Sequence, residues 1–443
     1  MRKLALGVAV SAALAAPGIA SATDGYFAHG YGMKASGMGG AATAMTDDAF
    51  GGANNPATMV FVGDRIDAGV TLFRPDRHAE RVGSAGFFPG GSLDASVDGN
   101  DTNNFLIPEF GYNHMLRPDI SLGVSVYGNG GMNTDYPNGV IPAGRCGANP
   151  ANLLCGSSNL GVDLSQLIIA PTVAYKIAPE HSIGVSPLIA YQRFKAYGLQ
   201  AFSAISSDPS NLTNNGYDSS WGLGVRVGYY GRITPTVAIG AQYSPQIRMG
   251  KLDKYKGLFA DGGGFDIPEN FSVGISVKAT PAVTIAADYE RINYSKVDSV
   301  GNPSNVPGCM PTFPAGPGVG AGCLGASSSS IGFGWQDVNV IKLGVAYQYS
   351  PQLTLRAGYN HSDNPIQARD VTFNILAPGV VQDHLTLGFT YGLQGGSEIT
   401  MAYMHAFKKS VSGPATNPYF NVGGTETISL SEDALGIAWG KSF

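Results

Sequence analysis

The feature that most constrains this chain is a strict alternation of short and long connections between segments of period-two hydropathy. From Arg65 onward, apolar residues fall on every second position. Leu353, Leu355, Ala357 and Tyr359 alternate with Thr354, Arg356, Gly358 and Asn360, and Leu385, Leu387, Phe389 and Tyr391 alternate with Thr386, Gly388 and Thr390. Such a repeat reads as a strand with one apolar face. It recurs at 120–126, 183–191, 221–229, 237–243, 271–277, 283–289 and 341–349. Tight-turn signals stand at Arg117-Pro118-Asp119, Ala178-Pro179-Glu180, Thr234-Pro235-Thr236, Thr280-Pro281-Ala282, Ser350-Pro351-Gln352 and Gln394-Gly395-Gly396. Between them lie long polar or glycine-rich stretches at 129–163, 198–216, 251–266, 297–335 and 364–381. A soluble sandwich also alternates apolar and polar residues. Short turns at one end and long loops at the other are the arrangement of an outer-membrane barrel.

Six such turns separate seven hairpins, which predicts an all-β, 14-stranded antiparallel transmembrane barrel over 65–443. The apolar row then meets lipid, and the Gly, Ser, Thr and Arg row lines the lumen. Ser244-Pro245-Gln246 resembles a further turn but is not counted, because it follows Thr236 by fewer residues than the ~9–11 of a tilted spanning strand. At the C-terminus Ile437, Trp439 and Phe443 share one parity. A terminal aromatic residue resembles the signal read by the barrel assembly machinery. Lys441 falls on the same face, where a long side chain at the rim snorkels toward water.

Composition agrees. Charged residues make up 13% of the chain, about half the usual ~25%, and 62 of 443 residues are glycine. Beyond residue 22 no apolar stretch approaches the ~18–20 residues of a spanning helix. Residues 1–22 read as a secretory signal: Arg2 and Lys3 lead an apolar run that ends in the small residues Ala20, Ser21 and Ala22. The formal charge of −5 becomes more negative once those two cations are removed, and gives no electrostatic footprint for nucleic acid. The expected location is the outer membrane of a Gram-negative bacterium. In an exported chain Cys146 with Cys155, and Cys309 with Cys323, read as two loop disulfides. Each is expected to stabilise by roughly 2.5–3 kcal/mol. Zinc is the competing reading, but the spacing lacks a C-x₂₋₄-C pair or a His partner set; neither a metal nor a cofactor is expected.

Residues 23–64 differ from the alternating region that begins at Arg65: Gly25, Gly30, Gly32, Gly37, Gly39, Gly40, Gly51 and Gly52 stand among Ala, Met and Asp, with no strand alternation. Fourteen strands lie between the ~8 whose lumen side chains fill and the 16–18 that leave a water channel. A compact N-terminal segment would close such a lumen. Its residues Gly30-Tyr31-Gly32, Gly37-Met38-Gly39-Gly40-Ala41-Ala42, Asp47-Asp48 and Asn54-Asn55-Pro56-Ala57 resemble the plug, or hatch, of the FadL/TodX family of outer-membrane transporters for long-chain fatty acids and other hydrophobic compounds. Two later stretches are also similar to the family: Phe265-Asp266-Ile267-Pro268-Glu269, and Leu355-Arg356-Ala357-Gly358-Tyr359-Asn360 with Leu376-Ala377-Pro378 and Asp383-His384 downstream.

The resemblance implies a hatch over 23–64 and import without an energy source. Cargo is captured in an apolar groove between extracellular loops three and four, passes to a pocket near the hatch, and leaves sideways through a kink in strand three. Phe202, Ile205 and Leu212 in loop three, with Tyr255, Leu258, Phe259 and Phe265 in loop four, are the groove candidates. The alternative is that they pack the loops against each other. Gly128, Asn129, Gly130 and Gly131 match the kink, since glycines weaken a ladder and mark bulges; the alternative is that the strand ends there. Arg226, Lys342 and Arg356 point to the lumen by parity and could meet a carboxylate, or pair with Asp288 and Glu290. Asn55, Pro56 and Ala57 read as a turn fixing the hatch.

The expected function is therefore import of long-chain fatty acids, with aromatic or alkane hydrocarbons as alternative cargo and a general porin as the rival class. Catalysis is not expected, because the seven His stand in no nucleophile signature. The expected surroundings are outer-membrane lipid and lipopolysaccharide, and the expected state is a monomer.

Overall fold

The computed structural model describes residues 23–85, 91–306, 322–415 and 423–443; the expected signal segment, 1–22, lies outside them. The strands are β1 Arg65–Val82, β2 Ala95–Asp98, β3 Phe105–Arg117, β4 Ile120–Asn133, β5 Gly161–Ala178, β6 His181–Tyr197, β7 Asp218–Thr234, β8 Val237–Ser244, β9 Asn270–Thr280, β10 Val283–Ile292, β11 Val338–Gln348, β12 Leu353–Ser362, β13 Asp383–Gly392, β14 Ser397–Pro414 and β15 Thr425–Ser442. Each wall strand pairs antiparallel with its sequence neighbours. β15 returns to β1 in unbroken register from Arg65 opposite Ser442 to Val82 opposite Thr425, which closes the ring. The four-residue β2 pairs only with the upper part of β1 in the first loop. Among the described residues the wall thus has fourteen strands. Closure leaves no free edge, the condition for a sheet in lipid.

All six turns expected from sequence join neighbouring strands. Ser244-Pro245-Gln246 opens a long loop, as its exclusion from the count required, but strand length is not the reason: β8 has only eight residues. Its wall position is continued by Ile247, which bridges Ile267 across the base of that loop. The stretch expected as loop at 129–163 is shorter than anticipated, because β4 runs on to Asn133 and β5 begins at Gly161.

Solvent assigns the two faces as expected. Leu355 and Leu387 are 41% and 53% exposed, while Arg356 and Thr386 beside them are 8% and 0% exposed. Ile437, Trp439 and Phe443 face outward. The Phe443 N–H donates to the Asp64 carbonyl at 3.1 Å, and Lys441 is half-buried opposite Ile66 and Ser397. The main apolar cluster lies within the ring, formed by the N-terminal tip, luminal side chains and the loops above.

Candidate functional site

The N-terminal segment is fastened to the lumen by polar groups from around the ring. Asn55 is fully buried. Its Oδ1 accepts the Ala57 N–H at 3.1 Å, capping a short helix over Pro56–Phe61, and its Nδ2 donates to the Thr43 and Tyr229 carbonyls at 2.8 Å each. The Asp288 carboxylate accepts the Ala42 and Thr43 N–H groups, both at 2.8 Å. Thr386 Oγ1 accepts the Gly39 N–H at 2.8 Å, and Ser182 Oγ donates to the Ala57 carbonyl at 2.7 Å. Charge-assisted bonds such as those to Asp288 are the stronger ones.

Glycines in the luminal row make this approach possible. A Cβ on Gly228 would lie 2.1 Å from Asn55 Oδ1, one on Gly240 2.0 Å from the Thr43 carbonyl oxygen, and one on Gly358 2.1 Å from the Gly39 nitrogen. Only a residue without a side chain lets the two backbones meet so closely.

The wall opens between β3 and β4. β3 pairs with β4 only from Phe110 opposite Val126 down to the turn. Beyond that point β3 and β4 no longer pair with each other: 105–109 pair with β1, and 127–133 with β5 and, at Gly130, with Phe27 of the N-terminal segment. Pro108 sits on the freed edge, where a residue lacking an N–H is tolerated. Asn129 is bulged out of register, with Gly128 opposite Leu167 and Gly130 opposite Gln166. The N-terminal tip covers this bulge from within: the Gly131 N–H donates to the Tyr26 carbonyl at 3.1 Å, the Ala28 N–H to the Asn129 carbonyl at 3.3 Å, and the Tyr31 hydroxyl to the same carbonyl at 3.1 Å. A Cβ on Gly130 would lie 1.8 Å from the Tyr26 oxygen.

Two unfilled spaces flank the tip. The lower is bordered by His29, Phe73, Ile107, Glu109, Tyr127 and Gly128, where β3 and β4 part. The upper is bordered by Tyr26, Phe73, Arg77, Trp335, Leu430 and Glu432. Phe73 belongs to both. Burial, helped by the Lys342 charge, pushes the His29 imidazole down to about 4. Burial likewise pushes the Asp24 carboxyl up to about 7, against the pull of Lys342.

The sequence model for the family described as outer membrane protein transport protein (OMPP1/FadL/TodX) matches residues 9–440. The chain belongs to the OMPP1/FadL/TodX family. It is similar in fold to the Pseudomonas putida toluene transporter TodX, with 18% identity, 94% of this chain and 99% of that one covered, and a TM-score of 0.66. A Pseudomonas aeruginosa FadL homologue gives 16% identity, 95% and 100% coverage, and a TM-score of 0.66. The Ralstonia pickettii toluene transporter TbuX gives 17%, 94% and 99%, and 0.63. No curated protein sequence matches the chain. Family membership makes this an outer-membrane transport protein.

The residues expected to capture cargo are buried in the structure. Phe202, Ile205, Leu212, Tyr255, Leu258, Phe259 and Phe265 are each at most 3% exposed, so they line no open groove. They pack loop three onto loop four and onto Phe194, whose ring lies 4.9 Å from Tyr255 and 4.7 Å from Phe259. Alternation along a strand reports which face a residue takes, but nothing local reports whether an apolar loop residue is covered by another loop. The aromatic contacts continue inward, from Phe259 to Phe265 at 5.0 Å, to Tyr26 at 6.0 Å and on to Trp335 at 5.9 Å. The packed loops are thereby connected to the upper space.

The three luminal cations point inward as parity required, and all are engaged. Arg226 donates to the Gly52 carbonyl at 3.2 Å, to the Ala53 carbonyl and to the Tyr127 hydroxyl at 3.2 Å. Lys342 pairs with Glu290 at 2.6 Å, and Arg356 donates to Thr390 Oγ1 at 2.6 Å. The Gly128, Asn129, Gly130 and Gly131 stretch is a bulge within β4 and not the end of a strand. Cys146 and Cys155 form a disulfide with Cα atoms 5.4 Å apart. Cys323 is disulfide-bonded as well, and its expected partner Cys309 lies outside the described residues. Two features escaped the sequence: the unpaired edge between β3 and β4, and Glu432. The only available signal for the latter was an acid on the luminal parity of β15, in line with Leu430 and Gly436.

Proposed function

We propose that this protein imports hydrophobic compounds passively across the outer membrane and releases them sideways into the bilayer. Residues 23–64 act as the hatch, and 65–443 as the barrel. Cargo parts the packed seam of loops three and four, follows the aromatic series to the upper space, passes Phe73 as the hatch tip shifts, and leaves from the lower space between β3 and β4. The observation that carries this reading is the loss of β3–β4 pairing at 105–109 and 127–133, beside a cavity and bonded from within by the hatch tip. Two of the proteins similar in fold are toluene transporters, which supports hydrophobic cargo. Long-chain fatty acids and hydrocarbons both fit the route. A general porin is disfavoured, because a plug seated through so many buried bonds obstructs a polar pore.

Energetics favour several partial sites. Burying an alkyl chain gains roughly 0.8 kcal/mol per CH₂, so one perfect pocket for a long chain would hold it permanently. Release into hydrocarbon restores the same gain, and no energy source is required. The ring closed by a single chain supports a monomer, placed by the barrel assembly machinery, with its apolar belt in lipid and its long loops among lipopolysaccharide.

The test is uptake of labelled oleate and toluene by cells lacking their own importer, with wild type and with an Ile107→Trp variant shown to be folded in the outer membrane. Uptake by wild type that is lost in the variant supports the lateral route. Uptake of neither compound by folded wild type rejects hydrophobic import.

A further inference from the structure

Glu432 is 1% exposed, and neither carboxylate oxygen meets a hydrogen-bond partner. It borders the upper space between the rings of Tyr26, Phe73 and Trp335, opposite Pro75 on β1. A buried carboxylate without donors is costly wherever nothing meets it, and here it faces a cavity whose remaining walls are largely apolar.

The neighbouring cation does not meet that need. Arg77, also 1% exposed, directs all three guanidinium nitrogens elsewhere: Nε to Asn100 Oδ1 at 3.2 Å, Nη1 to the Asn133 carbonyl at 2.9 Å and Asn133 Oδ1 at 3.0 Å, and Nη2 to the Thr102 carbonyl at 2.7 Å. Its charge nevertheless borders the same space.

These restraints select a ligand. The orphan oxygens ask for a donor, which hydrocarbons lack. An anionic ligand would set a second carboxyl group against Glu432, while Arg77 has at most one Nη2 N–H left to offer it. A cationic amine would meet the Arg77 charge. Rings on several sides favour an aromatic body. We infer that the upper space is a selectivity site for neutral hydroxylated aromatics of the phenol class, whose hydroxyl donates to Glu432. The inference rests on the import reading above and narrows its cargo.

The experiment uses the full barrel in lipid nanodiscs, in a Trp221→Phe/Trp439→Phe background so that fluorescence reports Trp335 alone. Three probes of matched shape are titrated: 4-methylphenol, toluene and 4-methylbenzoate. A hydrogen bond to an otherwise unpartnered buried acceptor predicts that 4-methylphenol half-saturates at a concentration at least about tenfold below toluene, with 4-methylbenzoate the weakest. Glu432→Leu should bring the phenol-to-toluene ratio close to one, and Glu432→Gln, which keeps one acceptor oxygen, should fall between. Folding of each variant is checked by its resistance to unfolding in cold detergent on gels, and the near-isosteric Gln variant keeps the comparison available if the Leu variant does not fold. Equal half-saturation by phenol and toluene in wild type, an unchanged ratio in a folded variant, or no quenching by any probe would each overturn the inference. Oleate and toluene uptake by cells is read separately and decides the import reading whichever way the titrations fall.

Discussion

The β12–β13 and β3–β4 pairs belong to one ring but are built to different ends. In the first, Leu353 to His361 are matched without interruption against Tyr391 to Asp383. In the second, pairing stops at Phe110 and Val126, and the upper strands diverge beside a cavity. A complete ladder satisfies every backbone group in a solvent that offers no hydrogen bonds. Where the ladder is incomplete, the N-terminal tip takes over part of that task through Tyr26, Ala28 and Tyr31. On the proposed route, strength and passage fall to different parts of the same sheet, with the N-terminal tip as the removable part of the second.

Several substitutions sharpen this contrast. The largest effect is expected from Asp288→Ala, which deprives the Ala42 and Thr43 amides of their acceptor. At ~1.5–3 kcal/mol for each bond to a charged group, hatch seating should weaken by about 3–6 kcal/mol. Hydrogen exchange at 41–44 should accelerate at least a hundredfold while amides of β12 and β13 keep their protection; equal loss in both regions would break the distinction. Next is Gly228→Ala, whose Cβ would meet Asn55 Oδ1. Overpacking of that kind costs roughly 1–3 kcal/mol, to be read as faster exchange at Ala57 and Thr58. The smallest is Leu387→Ala on the lipid face of β13. Lipid tails are as apolar as the side chain removed, so the urea midpoint should correspond to a change of under about 1 kcal/mol.

The barrel was legible because a membrane imposes period-two alternation on each strand, and because Pro and Gly mark its turns. Arg356 between Leu355 and Ala357 could be placed in the lumen from parity alone. The features that could not be read depend on distant partners. The seven apolar residues of loops three and four look alike in sequence whether they line a groove or close a seam. Gly228 and Gly240 were visible as part of a small luminal row, but not as seats for Asn55 and Thr43. The glycines at 128–131 marked a kink, whereas the loss of pairing beside it arises from where β3 and β4 diverge. Glu432 does not stand out in the sequence, because an acid on a luminal parity is ordinary unless its donors are missing.

The central claim is that cargo leaves between β3 and β4. It is tested most directly by filling that opening and filling a closed pair in parallel. Ile107→Trp places an indole at the parted edge, and Leu387→Trp places one on the lipid face of β13. Uptake of labelled toluene and oleate should fall at least tenfold with Ile107→Trp and stay within twofold of wild type with Leu387→Trp, both barrels being folded. Wild-type uptake through a folded Ile107→Trp barrel would contradict lateral exit at this place.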